Sequence, residues 1–194
     1  MLFISYVTKD HYLEVLNKYL LPSLTKWDLS FHIEYIEPAK DWYAATAQKC
    51  DIILKLLKCQ EEIVILDADA EIVKFPQLFF DIPKSYDMAC HYLDWGVQYN
   101  KPRDKKELLS GTMLWRNRDV SIKVLETWKA EVDKNAHLWE QRALDKVLNR
   151  GTKLNIYELP YEYCSIRRKD GIIPCENPVI IHNQVSRQYK RRNR

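Results

Sequence analysis

No stretch of the 194-residue sequence reaches the roughly 18 consecutive apolar residues that a membrane-spanning helix requires, so no spanning helix is expected. Five cysteines (Cys50, Cys59, Cys90, Cys164, Cys175) form no CxxC pair or other zinc-like spacing. Their odd number speaks against a disulfide framework and for reduced thiols. There is no internal repeat and no low-complexity segment, which removes solenoids and disordered linkers from consideration. The chain opens directly on the strand-like residues 2–7, with no signal-peptide pattern, so a cytoplasmic protein is expected. Charge of one sign is also scarce. The net charge is +3, and Arg187, Lys190, Arg191, Arg192 and Arg194 supply five positive charges, leaving a body at −2. That body is not a basic protein, and the expected division is a domain over residues 1–186 with a basic tail over 187–194.

What remains is a globular composition, 46% hydrophobic and 29% charged, long enough for a sizeable core and rich in aromatics with six Trp and twelve Tyr. Within it, Asp67-Ala68-Asp69 closes the apolar run Ile63-Val64-Ile65-Leu66. Residues i and i+2 leave a strand on one side, so two carboxylates meet at the strand end. Buried together without a counter-ion they would repel, and a hard divalent cation with oxygen ligands is their natural partner. An ordinary turn, with the side chains accepting from nearby backbone N–H groups, would produce the same tripeptide. The following residues 70–76 contain no glycine for a tight hairpin, which favours the cation.

Along the chain, strands over residues 2–7 and 31–36 are joined by a helix with the apolar stripe Tyr12, Val15, Leu16, Tyr19 and Leu20, ended by Pro22. A second helix, residues 42–58, buries Cys50, Ile53, Leu54 and Leu57 and leads to the strand before Asp67. This β-α-β-α-β order predicts an α/β fold with a mostly parallel sheet flanked by helices. A short helical turn over residues 77–80 and a strand over 88–92 follow; residues 94–106, with Gly96, Pro102 and many charges, read as a mobile surface loop. The strand 108–115 is interrupted by Ser110-Gly111-Thr112, where Gly111 signals a bulge or a close backbone approach. Asp119 is the expected N-cap of a helix striped by Val124, Leu125, Trp128 and Val132, and another helix spans residues 138–149. Gln141, three residues before Leu144, puts a polar amide on that last helix's buried stripe, a conflict of the kind that gathers at functional sites; Glu140 beside it suits the helix dipole. His182 ends the apolar run 179–181, as Asp69 follows its own strand; if the two ends open on one edge, the imidazole completes a shell for manganese.

Taken together, Thr8 with Tyr12, Ala47-Gln48-Lys49, Ile65-Leu66-Asp67-Ala68-Asp69-Ala70-Glu71, Leu109-Ser110-Gly111-Thr112, Trp139-Glu140-Gln141-Arg142-Ala143-Leu144 and Ile181-His182-Asn183-Gln184-Val185-Ser186-Arg187 resemble, in order and spacing, a small GT-A-type glycosyltransferase of the nucleotide-diphospho-sugar transferase group. The resemblance implies a nucleotide-sugar donor, a UDP-sugar by preference, bound at the strand ends. It places Thr8, Tyr12, Lys49 and Asp67 on the donor, Mn²⁺ or Mg²⁺ on Asp67, Asp69 and His182, and Arg187 and Lys190 on the departing diphosphate. Ser110, Gly111, Thr112 and Gln141 face the sugar, with Asp69, Glu140 and Gln141 as the catalytic set. The implied chemistry is transfer to an acceptor hydroxyl with retention of configuration. Related enzymes commonly carry Asp-Gln where this chain has Glu140-Gln141 and a glycine where it has Val185.

Two other functions use the same features. A phosphatase of the haloacid-dehalogenase type also places Asp-x-Asp after a strand, but wants Thr or Val where this chain has Glu71. A non-catalytic nucleotide-sugar-binding module would need the donor residues alone. Among acceptors, a glycan or lipid-linked sugar ranks first; modified DNA is second, since Lys101, Arg103, Lys105, Lys106 and the tail permit nucleic acid.

Overall fold

The computed structural model describes residues 1–9, 11–101, 103–135 and 137–185; the basic tail 187–194, with Arg187 and Lys190, lies outside the described residues. In chain order the first elements are β1 (Leu2–Thr8), α1 (His11–Lys18), α2 (Leu20–Lys26), β2 (Phe31–Ile36), α3 (Trp42–Leu57), β3 (Glu62–Leu66) and β4 (Ala70–Ile72). They are followed by α4 (Leu78–Asp81), β5 (Met88–Leu93), α5 (Trp95–Tyr99), β6 (Glu107–Arg116), α6 (Asp119–Lys134) and α7 (Glu140–Leu148). The chain then adds β7 (Ile156–Glu158), a 3₁₀ turn at Tyr161–Tyr163, β8 (Ser165–Ile166) and β9 (Ile180–His182). Among the described residues no helix is long and apolar enough to cross a membrane.

β1 pairs in parallel with both β2 and β3, as strands joined by helical crossovers do. The full sheet runs β2-β1-β3-β6-β5-β7, and β4-β9-β8 form a second, small sheet. β6 runs against both its neighbours while β7 is parallel to β5, so the sheet is mostly parallel with one reversed strand. Period two sorts the side chains between two cores. Ile4, Ile63, Ile65 and Trp115 pack with Ile53 and Leu57 of α3, Trp128 of α6 and Leu144 of α7. Phe3, Val64, Leu66 and Leu114 pack with Leu16 of α1, Leu20 and Leu24 of α2 and Phe79 of α4. With both faces covered, β3 reads as a continuous apolar run rather than an alternation. Cys50 lies in the first core, and burial pushes its thiol up to about 12. That keeps it protonated and inert.

Three local expectations differ from the structure. Pro22 does not end a helix; it sits in the first turn of α2, where its missing N–H costs no helical bond. That extra helix matters, because Ser23 Oγ accepts from Ile72 N at 3.1 Å and Trp27 Nε1 donates to Ile72 O at 2.9 Å, fixing β4. Asp119 is the first residue of α6 rather than its cap; Arg118 occupies the cap without a side-chain bond. The presumed loop 94–106 contains α5, whose N-terminus is capped by Asp94 Oδ1 accepting from Gly96 N at 2.7 Å and Val97 N at 3.3 Å. Gln98 is fully buried and its amide donates to Ile166 O at 3.1 Å, so this segment is anchored by specific bonds. A five-residue helix is too short to show a period, which is why composition alone suggested a loop.

Trp128 joins the fold to the site. Its indole is fully buried, and Nε1 donates to Glu140 O at 2.8 Å in the first turn of α7. Trp128→Ala is expected to cost about 3–5 kcal/mol in urea unfolding, and Trp128→Phe distinctly less, since it restores most of the volume but not the hydrogen bond. A loss below about 1 kcal/mol for the alanine variant would contradict this packing role.

Candidate active site

Two turns and one pairing register create the acidic cluster. Asp67 leaves β3 with its N–H donating to Gly111 O at 2.9 Å, and Ala70 N returns to Asp67 O at 2.9 Å, turning the chain into β4. β4 pairs antiparallel with β9 so that Ala70 stands opposite His182, which sets Asp69 beside the imidazole. Asp69 Oδ1 lies 3.6 Å from His182 Nδ1. Ligand atoms of Asp67, Asp69 and His182 all fall within 4.8 Å of one another. The stretch after β9 wraps Asp69: Asn183 N and Nδ2 donate to its carbonyl at 3.1 and 3.0 Å, and Val185 N donates to Oδ2 at 2.9 Å. The convergence inferred from strand ends is therefore present, and it depends on a strand pairing between residues more than a hundred apart in sequence.

Gly111 makes the space. A Cβ added there would lie 2.9 Å from His182 Cε1, 3.0 Å from Asp67 Oδ2 and 3.2 Å from His182 Nδ1. Both readings of this glycine hold, because β6 also bulges: Cys90 pairs with Met113 while the next residue, His91, pairs with Leu109. Thr112, expected at the donor, is fully buried behind the imidazole, with Oγ1 2.8 Å from His182 Nε2. It fixes the ring so that Nδ1 faces the two carboxylates, the arrangement that orients a metal-binding histidine. Two carboxylates, an imidazole with an anchored far nitrogen and a void kept by glycine fit Mn²⁺ or Mg²⁺. Burial lowers the pKa of His182, but Cys164 and Asp69 beside it outweigh that and hold the ring well above its ordinary value.

A second cluster adjoins the first. Lys49, nearly fully buried in α3, donates from Nζ to Asp67 Oδ1 at 2.8 Å, Ser110 O at 3.2 Å and Glu140 Oε1 at 3.3 Å. Burial opposes its charge, yet Asp67 and Glu140 more than offset it and keep the ammonium charged. Burial likewise raises Tyr6 above the ordinary phenol, so it stays neutral. Ser110 Oγ donates to Glu140 Oε1 at 2.8 Å, and Ser110 N donates to Gln141 Oε1 at 3.2 Å. Glu140 is more than an acid placed for the helix dipole: it is 2% exposed, and its Oε2 has no partner among the described residues. Gln141, the polar residue on the buried stripe, is 5% exposed and donates from Nε2 to Glu107 Oε1 at 3.0 Å.

These groups line one cavity of about 370 Å³. Thr8 and Tyr12 lie on its wall at the end of β1 and the start of α1, together with Asp67, Asp69, His182, Lys49, Ser110, Gly111, Glu140 and Gln141. Sequence reasoning gave no site role to Glu107 or to three of the six tryptophans, Trp42, Trp95 and Trp139, and set Arg103 among the residues that permit nucleic acid; all of them line the same cavity. For the tryptophans the available signal was the high aromatic content.

Residues 14–193 match the family of nucleotide-diphospho-sugar transferases. No curated protein matches the sequence. In fold the chain is similar to a glycosyltransferase involved in the glycosylation of the major capsid of PBCV-1, with a TM-score of 0.72 and 12% identity over 99% of this chain and 96% of that one. It is also similar to mouse xyloside xylosyltransferase 1 (TM-score 0.57, 10% identity, 95% of this chain and 97% of that one). The galactosyltransferase LgtC, solved with donor and acceptor sugar analogs, gives 0.57 at 9% identity over 95% of this chain and 87% of that one. At such identities the likeness is one of fold, the GT-A arrangement. The family match spans nearly the whole chain, and with it the phosphatase reading falls away: this chain belongs to the nucleotide-diphospho-sugar transferase family and is a glycosyltransferase.

Proposed function

We propose that the enzyme moves a sugar from a UDP-sugar to an acceptor hydroxyl with Mn²⁺ or Mg²⁺ held by Asp67, Asp69 and His182, retaining the anomeric configuration. The observation that carries this reading is the convergence of those three side chains, within 4.8 Å, on the wall of the cavity that Glu140 and Gln141 also line. The cation, when bound, supplies the positive charge that stabilises a departing nucleoside diphosphate. Thr8 and Tyr12 hold base and ribose. Lys49 neutralises Asp67 and Glu140 and keeps Asp67 turned toward the ion, with its ammonium already engaged by protein acceptors. Glu140 Oε2, buried and without a partner among the described residues, accepts a donor-sugar hydroxyl. Arg187 and Lys190 complete the diphosphate contacts.

Retention is favoured by where the carboxylates stand. Glu140 is bound to Lys49 and Ser110, and Glu107 accepts from Gln141 and from Trp95 Nε1 at 2.8 Å. Neither is placed as a free base for an incoming hydroxyl, so the donor phosphate oxygen takes that proton. Five free thiols, Cys50 and Cys90 buried among them, suit a reducing compartment, and we place the enzyme in the cytoplasm.

EDTA is expected to abolish turnover and added manganese to restore it, and Asp69→Asn to lower kcat/KM by about 100-fold or more with an unchanged melting temperature. Undiminished turnover in chelator would sink the metal reading. Gly111→Ala, which places a methyl among His182 and Asp67, is expected to weaken manganese binding at least about tenfold by calorimetry; wild-type affinity would show the cradle to be roomier than described. NMR of freshly formed product is expected to show the donor's anomeric configuration, and inverted product would refute retention.

A further inference from the structure

The cavity has a second half that the donor reading does not use, and its walls are aromatic. Trp42, the first residue of α3, and Trp139, at the N-terminal boundary of α7, stand 5.7 Å apart between ring centroids, inclined at 57°. Tyr43 meets Trp42 edge-on at 5.3 Å and meets His137 at 5.9 Å, extending the surface outward. From the β5–β6 connection comes Trp95, with the Arg103 guanidinium 3.4 Å above its ring and Tyr99 at 4.9 Å. The three indoles are half-buried on the cavity wall, and such flat apolar area suits a ligand with flat apolar faces.

Glu107 ties this half to the reacting centre. One carboxylate oxygen accepts from Trp95 Nε1 at 2.8 Å, and the other accepts from Gln141 Nε2 at 3.0 Å. The aromatic wall is thus one side chain away from the amide that faces the donor sugar. Charge discriminates among acceptors. Around the cavity Lys49, Arg103, Arg142 and His182 do not exceed the acids Asp67, Asp69, Glu107 and Glu140. A groove that binds a nucleic-acid backbone needs a surplus of positive charge, and the described walls have none.

We propose that Trp42, Trp139 and Trp95 form the acceptor subsite and that the acceptor is a carbohydrate, a pyranose ring whose C–H face lies on the indoles while its hydroxyls face Glu107 and the donor. This rests on the glycosyltransferase reading of the same cavity. The transfer balances without a further reactant: the acceptor oxygen forms its bond to the anomeric carbon as the bond to the diphosphate breaks, and the hydroxyl proton leaves with that diphosphate.

The test is saturation-transfer NMR on the full chain with methyl glycosides of galactose, glucose, mannose, N-acetylglucosamine and xylose, in the presence of UDP and manganese. At least one glycoside is expected to show transfer concentrated on the C–H protons of one ring face. Trp42→Ala and Trp139→Ala are each expected to weaken it about tenfold, while Trp42→Phe keeps most of the affinity. Melting curves of the same variants identify any that fail to fold, in which case Trp42→Phe and Trp95→Phe decide by the graded loss. Binding of no glycoside, or equal binding by folded tryptophan variants, overturns the proposal, as does an indole-dependent response to a single-stranded oligonucleotide alone. A UDP and manganese titration separates the two readings: glycoside binding that needs the indoles in a protein that ignores UDP would keep the subsite and reject the donor assignment, and the reverse pattern would reject the subsite alone.

Discussion

A charged ammonium in a place without water organises this protein. Lys49 is 2% exposed, and an ion so placed is tolerated only when its partners are fixed around it. The ammonium and its partners come from four elements: Lys49 from α3, Asp67 from the end of β3, Ser110 from β6 and Glu140 from α7. Loss of Lys49 would leave the buried Glu140 carboxylate without a counter-charge, and the shared ammonium holds the four elements in a single relative arrangement. Two of the partners belong to different parts of the site: Asp67 is one of the three clustered side chains with Asp69 and His182, and Glu140 lies against Ser110, so the ammonium fixes the spacing between the two groups.

Such a network also divides the work of the two carboxylates that the sequence places side by side. Asp67 has one oxygen neutralised by Lys49 and offers the other toward His182; Asp69 has Oδ2 fixed by Val185 N and keeps Oδ1 toward the same ring. Each contributes one oriented oxygen, which relieves the repulsion of two bare carboxylates. Thr112 does for the imidazole what Lys49 and Val185 do for the acids.

The strand order through β3, the two-sided core and the Asp67-Ala68-Asp69 turn were legible because they depend on local signals: apolar runs, period two, helical stripes and residues two apart. Gln141 was legible through conflict, a polar amide on an apolar stripe. What escaped depends on contacts across the chain. Whether His182 meets Asp69 is decided by the register of β4 on β9, which nothing in residues 179–182 specifies. Thr112 was read as donor-facing because its neighbours are, yet the bulge at Cys90–His91 rotates the stretch so that it points behind the imidazole. α5 was read as loop because its order comes from an Asp94 cap and from Gln98 and Trp95 bonded to distant residues. The tryptophans were counted but not placed, since an indole at a cavity mouth and one in the core have the same sequence signature; Trp128 and Trp139 lie on adjacent helices and play opposite parts.

The reversed direction of β6 gains meaning beside that network. Its first half alternates in burial: Leu108, Ser110 and Thr112 are buried, while Glu107, Leu109 and Gly111 are more open and line the cavity, which Ser110 also reaches. Along that lining face the side chains shrink from glutamate through leucine to glycine as the strand runs toward Asp67 and His182. A long carboxylate thus stands where the wall must reach Gln141 and Trp95, and no side chain stands where a ligand must come closest to the acids. A parallel strand at this position would enter from the opposite edge and bring its other end to the same place. Antiparallel pairing with β3 instead sets Thr112 opposite Leu66, so Gly111 faces Asp67 across the ladder and the backbone bond from Asp67 N to Gly111 O closes the site. One strand running against its neighbours therefore supplies part of the cavity wall, the support of the Gln141 amide and the space beside the carboxylates.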